Sequence, residues 1–176
     1  MHLIPTLTTE RLRLRPCRAD DLAPYAAMWQ QPEFYRYLTG QPSSEEDCWQ
    51  RLLRFNGVWD MLGYGYWAVE EQASGDFVGA VGFADWCRSI TPSLRGYPEI
   101  GWVLAPHTHG RGYAHEATQA ALAWGDAHLP ERRTVCIISP DNVPSLRLAA
   151  RLGYQRFATG AYKGSEVEML ERVAPH

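Results

Sequence analysis

Two glycines separated by one residue stand in the segment APHTHGRGYAHEA, which spans residues 105–117. The segment follows an apolar stretch and opens an alanine-rich stretch with helical spacing. In that setting the backbone amides of residues 109–114 can point together from the positive end of a helix dipole. Gly110 and Gly112 would let phosphate oxygens approach closely, and Arg111 between them could add positive charge. The spacing therefore predicts a site for a phosphate or pyrophosphate.

Three histidines in the same segment, His107, His109 and His115, suggest a different chemistry, because imidazole is a common zinc ligand. No Asp or Cys stands nearby, however, and His115 falls inside the following helix. The pattern also lacks the Lys-Ser/Thr of a P-loop, and His115 occupies the place of the third glycine in a dinucleotide fingerprint. The residues favour phosphate binding without a metal, and a zinc hydrolase is kept as an alternative.

The composition limits the classes of function. With 176 residues, 45% of them hydrophobic, the chain has the size of one globular domain, which we expect to span residues 1–176. A net charge of −3 offers no basic field for nucleic acid or anionic lipid. Apolar runs are too short for a signal or membrane helix, and the four cysteines form no C-x-x-C pair. We expect a cytoplasmic protein that binds neither nucleic acid nor membrane.

The elements that would position this turn can be read from hydrophobic spacing. RLRLRP (residues 11–16) alternates like a half-buried strand, and two helices follow, the second with a capping box formed by Ser43 and Glu46. Residues 64–71 and 77–86 predict a β-hairpin, residues 87–98 a turn-rich loop, and residues 99–106 a strand that leads into the glycines.

The second half of the chain continues with helices and strands in turn. A helix is predicted from the glycines to about His128, then a strand, a helix that Gly153 ends, and a closing pair of strands. This order predicts an α/β (α+β) fold with one mixed sheet and helices packed on it.

Four motifs together resemble the GNAT acetyltransferase superfamily, and most of all its RimJ/RimL-type branch. They are TERLRLRP, EIGWVLAP, GRGYAHEA and DNVPSLRLAARLGYQ, and the resemblance extends over residues 9–173. It implies a mostly antiparallel central sheet with a splayed, cofactor-binding strand pair. It also implies acetyl-CoA as cosubstrate, no metal, and an amine acceptor that is either a small molecule or a protein N-terminus. A homodimer is compatible with the fold.

The resemblance also assigns the cofactor site. In the family a bulge splays the strand that holds Val103 from its neighbour, and an amide near Val103 faces the thioester. By resemblance Asn142 reaches the pantetheine or a strand end, and Ser145 lies near the cofactor sulfur. The full set of implied cofactor-binding residues is Trp102, Val103, Leu104, His109, Gly110, Arg111, Gly112, Tyr113, Ala114, Asn142 and Ser145.

Two positions depart from the family pattern. His107 stands where the phosphate loop often begins with Gln or Arg, and Ala149 stands where many relatives carry a tyrosine that protonates the leaving thiolate. Read without the family, Asn142 or Asp141 is a helix cap and Pro144 a first-turn proline. The missing tyrosine leaves a non-catalytic acyl-CoA-binding or sensing module as an alternative to an enzyme.

Acetyl transfer needs a group that removes a proton from the attacking amine, whose pKa is about 10 when free. Glu99 is the first candidate, because it begins the strand that lines the cleft in the family, and Asp85 is the reserve candidate. Ser145 is the second residue to which we assign a catalytic role. Trp67, Asp85 and Trp86 are predicted to contact the acceptor, whose ammonium group aromatic rings would attract.

Overall fold

The computed structural model describes residues 3–175. Its strands are β1 (Leu7–Thr8), β2 (Leu12–Arg15), β3 (Tyr66–Glu71), β4 (Phe77–Ala84), β5 (Glu99–Leu104), β6 (Arg133–Ile138), β7 (Gln155–Tyr162) and β8 (Ser165–Val173). Its helices are α1 (Leu22–Met28), α2 (Pro32–Tyr35), α3 (Glu45–Leu62), α4 (Tyr113–His128) and α5 (Val143–Arg151). The predicted order of strands and helices is confirmed, and the structure adds two short elements that were not predicted, β1 and α2.

The strands form one eight-stranded sheet in the order β1-β2-β3-β4-β5-β6-β8-β7. All neighbours are antiparallel except β5 and β6, which are parallel and pair only between Glu99 and Val135. The two strands diverge beyond that pair, so the predicted splayed strand pair is confirmed. The predicted bulge is wrong, because β5 pairs with β4 in unbroken register from Glu99 to Leu104. The splay results from lost pairing with β6.

Helices cover both faces of the sheet, and alternate residues of a strand serve different faces. In β3, Trp67 packs into the core beneath α4 and α5, whereas its neighbour Tyr66 packs with Phe55 of α3. On the first face Gly125 of α4 lies so close to the sheet that a Cβ there would be 3.0 Å from the ring of Phe83. The absence of a side chain at Gly125 therefore brings α4 against the sheet.

The start of α3 lies one residue later than predicted. Ser44 caps the helix, accepts a hydrogen bond from the Asp47 amide, and is capped in return by the Asp47 carboxylate. Ser44 and Asp47 therefore replace Ser43 and Glu46 as the capping box. The helix ends at Gly63, whose φ of 78° is the left-handed conformation that glycine adopts without strain.

The loop of residues 87–98 is more ordered in its packing than its turn-rich sequence indicates. Ile90 and Leu94 are buried in a third apolar cluster with Val135, Val167 and Met169. The loop therefore joins the end of β4 to the β7–β8 side of the sheet. This packing places the side chains of residues 87–95 at the closed end of the β5–β6 splay.

Candidate active site

The first feature of the site is the edge of β5 that β6 leaves. After Glu99 no residue of β5 pairs with β6 within residues 3–175, so the backbone groups on that edge can bind a ligand. Along β5, Ile100 and Leu104 are buried in the core beneath α4 and α5, and Trp102 packs against the same core. Val103 packs on the opposite side, with the α1–α3 face. The side chains of Trp102, Val103 and Leu104 thus pack on the faces of the sheet, and their backbone groups border the splay.

The phosphate turn, residues 109–114, lies between β5 and α4 as the spacing predicts. Gly110 and Gly112 have φ of 77° and 80°, a conformation in which most side chains are strained. A Cβ at Gly110 would meet no atom within 4 Å. Gly112 is the N-cap of α4 and supplies no capping side chain, so the first amides of α4 have no intrahelical acceptor. The first turn of α4 therefore presents free donors that a pyrophosphate fits, whereas the amides of His109 and Arg111 already donate to the carbonyls of Pro106 and Thr108.

An ion pair holds this turn against the segment between β1 and β2. The Glu116 carboxylate accepts hydrogen bonds from the Thr9 hydroxyl at 2.6 Å and from the Arg11 backbone amide at 2.9 Å and Nε at 2.7 Å. Arg11 Nη1 then donates to the carbonyl oxygen of Arg111 at 2.8 Å. Burial opposes ionisation of Glu116, but these hydrogen bonds outweigh it and lower its pKa. Thr9, Arg11 and Glu116 form what we call the turn anchor.

The side chain of Arg111 points toward β3. Its Nη2 binds the Glu71 carboxylate at 2.7 Å and contacts the Tyr113 hydroxyl, which itself donates to Glu71. The guanidinium groups of Arg11 and Arg111 both lie over the ring of Tyr113, at 4.8 and 4.4 Å from its centroid. Arg111 thus supports the turn through its side chain.

The start of α5 faces the splay from the other side. Asn142 caps the helix by accepting a hydrogen bond from the Ser145 amide at 3.2 Å, as the reading without the family predicted. The Ser145 hydroxyl accepts a hydrogen bond from Trp102 Nε1 at 3.3 Å. This contact joins β5 to α5 across the open splay. Ala149, at the place of the absent tyrosine, is fully buried in the core.

Glu99 lies at the closed end of the splay, where β5 still pairs with β6. Its carboxylate accepts two hydrogen bonds from Arg88, from Nε at 2.6 Å and from Nη2 at 2.7 Å. Burial raises the pKa of Glu99, and the Arg88 guanidinium opposes that rise. Arg88 was not predicted as a site residue, because it stands in a loop without a motif.

The three residues predicted to bind the acceptor differ in their burial and in their contacts. The prediction that Trp67 contacts the acceptor is wrong, because its side chain is fully buried. Its Nε1 donates to the Pro5 carbonyl, and no surface is left for an acceptor. Trp86 is half-buried beside Tyr66, with ring centroids 5.9 Å apart. The Asp85 carboxylate accepts the amides of Cys87 and Gly96 at 2.8 and 2.9 Å, which organises the loop.

Tyr66, the neighbour of Trp67 in β3, lies in the apolar cluster of the opposite face. Its hydroxyl lies against β5, where a Cβ at Gly101 would be 2.2 Å from the oxygen. Burial raises the pKa of Tyr66, so the phenol is protonated at neutral pH. The strand's period of two could have distinguished the two aromatics once one face was known.

The three histidines are not gathered into a ligand set. His109 Nε2 donates to the Leu104 carbonyl at 3.2 Å, and His107 lies in the short 3₁₀ helix Pro106–Thr108. Across residues 3–175, no group of three His, Cys, Asp or Glu side chains could hold a metal ion. From Leu3 to Pro175, none of the helices combines the length and the apolar composition that crossing a bilayer requires.

Comparison with known proteins agrees with this geometry. Residues 11–155 match the acetyltransferase (GNAT) domain. A structure from Bordetella pertussis, named for the GnaT acetyltransferase family, is 34% identical and superposes with a TM-score of 0.83, covering 96% of this chain and 99% of that one. An uncharacterised N-acetyltransferase, p20, from Bacillus licheniformis is 26% identical over 152 residues, which are 86% of this chain and 83% of that protein.

A more distant structure shares the fold. RimL, named as the ribosomal L7/L12 α-N-protein acetyltransferase in complex with coenzyme A, has a TM-score of 0.77 at 16% identity, covering 96% of this chain and 98% of its own. The match over residues 11–155 and the 34% identity over nearly the whole chain show that this protein belongs to the GNAT acetyltransferase family.

Proposed function

We propose that this enzyme transfers an acetyl group from acetyl-CoA to a primary amine, by direct attack in a ternary complex. One observation carries the proposal: β5 and β6 diverge after Glu99, next to the start of α4, which has no side-chain cap. Backbone amides are free both on this edge of β5 and in the first turn of α4. Residues 109–114 would hold the pyrophosphate, and the open edge of β5 would hold the pantetheine arm. Acetyl-CoA supplies the activated acetyl group as a thioester.

Glu99 is the proposed base. A free alkyl amine is mostly protonated at neutral pH, since its pKa is about 10, so a proton must leave before attack. Burial raises the pKa of Glu99 and the Arg88 ion pair opposes that rise, and each carboxylate oxygen retains a second lone pair. Glu99 can therefore accept the proton directly or through one water molecule.

The charge that develops on the carbonyl oxygen needs a donor already in place. The backbone amide near Val103 is our candidate, since it lies on the strand that borders the splay. As the bond between nitrogen and the carbonyl carbon forms, the carbon–sulfur bond breaks and CoA leaves as a thiolate. The proton that Glu99 removes from the amine is equivalent to the one that converts this thiolate to the thiol product. A thiol pKa of about 8.5 makes the thiolate a tolerable leaving group, so Ser145 has a modest role.

A thiol-release assay with a panel of primary amines tests the proposal, with calorimetric binding of CoA measured in parallel. The panel contains amino acids, polyamines, aminoglycosides and peptides with free N-termini. We expect CoA to bind and at least one amine to be acetylated, with the product confirmed by mass spectrometry. CoA binding without turnover of any amine would instead support the acyl-CoA-binding module, the alternative that Ala149 in place of a tyrosine leaves open.

A further inference from the structure

A cavity of about 600 Å³ opens beside the Glu99–Arg88 pair. We call it the arginine cavity, and its lining consists of Cys87, Arg88, Ser89, Ile90, Thr91, Arg95 and Ala161. Two of these residues are arginines and none is acidic. The loop of residues 87–95 supplies all of the wall except Ala161, which comes from β7.

Arg88 stands between this cavity and Glu99. Its pair with the carboxylate uses Nε and Nη2 and leaves the donors on Nη1 outside the pair. The ring of Tyr162 lies 4.6 Å below the guanidinium carbon and fixes its plane. A group bound on the cavity side of Arg88 would therefore lie a short distance from the proposed base.

Arg95 adds a charge that the protein does not neutralise. It is exposed, and no ion pair or hydrogen bond involves its guanidinium within residues 3–175. Two acids beside this loop are already engaged, Glu99 by Arg88 and Asp85 by the amides of Cys87 and Gly96. The arginine cavity therefore offers free cationic donors suited to an anion, and it disfavours a second ammonium group.

We propose that the acceptor is a primary amine that carries a carboxylate on a short chain. The carboxylate would bind Arg95 and the cavity side of Arg88, while the amine nitrogen faces Glu99 and loses its proton there. This inference rests on the proposed function and names the acceptor class for the same site. A free amino acid and a peptide with an acidic first residue share this chemistry.

Matched acceptors test the charge directly. Acetylation is measured for 3-aminopropanoate against its amide, for aspartyl-alanyl-alaninamide against asparaginyl-alanyl-alaninamide, and for spermidine. Each kcat/KM is calculated from the concentration of deprotonated amine, because converting the carboxylate to an amide lowers the pKa of the amino group in the same molecule. We expect at least one carboxylate acceptor to exceed its amide in kcat/KM by roughly tenfold, the effect of one charge-assisted hydrogen bond, with spermidine poorest. The first pair and the second distinguish a free acid from a peptide.

The substitution Arg95→Gln should reduce that carboxylate-to-amide ratio to near one, and Arg95→Glu should invert it. Arg151→Gln is the matched control, since Arg151 is an exposed arginine in the last turn of α5 and should leave the ratio unchanged. Equal rates for acids and amides in the unmodified enzyme would overturn the inference while the proposed function stands. CoA binding with no amine acetylated would refute both.

Discussion

The phosphate turn and the arginine cavity lie at opposite ends of the β5–β6 splay, and they are supported in different ways. Residues near in sequence form most of the turn, and Thr9, Arg11 and Glu116 fasten it to the segment between β1 and β2 by four hydrogen bonds. The cavity is formed by one loop whose apolar side packs on β6 and β8 and whose polar side carries the arginines. The turn therefore depends mainly on local geometry, and the cavity depends on how a loop packs against distant strands.

The largest effect should come from the turn itself. Gly110→Val introduces a strained φ and a side chain in front of the free amides, so we expect the Kd for CoA to rise about 10³-fold, equivalent to two charge-assisted hydrogen bonds. Isothermal titration calorimetry with CoA measures this change in Kd. Gly164→Val is the control, since Gly164 has a φ of 82° and equally open surroundings in the β7–β8 turn. Unchanged CoA affinity in folded Gly110→Val would remove the turn from the cosubstrate site.

At the other end of the splay, Glu99→Gln should lower kcat by roughly 10²-fold, the lower end for general-base catalysis, with little change in acetyl-CoA affinity. The loss should shrink as pH rises above the pKa of the amine, because the amine then arrives neutral. Steady-state kinetics across pH provides the measurement. A loss of equal size at every pH would show that Glu99 serves the structure of the cavity and removes no proton.

The turn anchor should affect affinity and leave chemistry largely alone. Glu116→Gln weakens the pair with Arg11, which no longer holds the Arg111 carbonyl firmly, so we expect the KM for acetyl-CoA to rise about tenfold with kcat retained. Glu10→Gln removes an acid next to Arg11 that forms no hydrogen bond with it and should change neither value. A fall in kcat with a constant KM for acetyl-CoA would contradict the expectation that the turn anchor affects affinity alone.

The same substitution has a defined dependence on pH. Hydrogen bonds lower the pKa of Glu116 in the folded protein, so its ionised form stabilises the fold above the unfolded pKa of about 4.3. That contribution is lost as pH falls through the folded pKa. The difference in Tm between Glu116→Gln and the unmodified protein should therefore be full near pH 7 and should narrow below about pH 4. A difference that widens in acid would contradict this sign.

Ser145→Ala should have the smallest effect, a fall in kcat of about fivefold or less, since it removes one hydrogen bond from Trp102 and the thiolate leaves without a strong acid. Rapid-mixing kinetics with one acceptor would resolve it. A Ser145→Ala enzyme slower than Glu99→Gln would transfer the main catalytic role from β5 to α5.

Much of the cosubstrate half could be read from the sequence, because its geometry is local. A strand that ends at Leu104, two glycines and an amphipathic helix are adjacent in the chain, and neighbouring residues alone create free amides at a helix start. Asn142 and Pro144 were identified as helix-start residues for the same reason. The two glycines at positive φ follow from the tightness of the turn.

The acceptor half depended on tertiary structure. The sequence could not distinguish Tyr66 from Trp67, because only packing decides which face of β3 each aromatic serves. The pairing of Arg88 with Glu99 joins residues on opposite sides of a loop, and the loop's path depends on how Ile90 and Leu94 are buried against distant strands. Local patterns determined the elements and the turn in this protein; burial of apolar surface from remote segments determined which charged side chains meet.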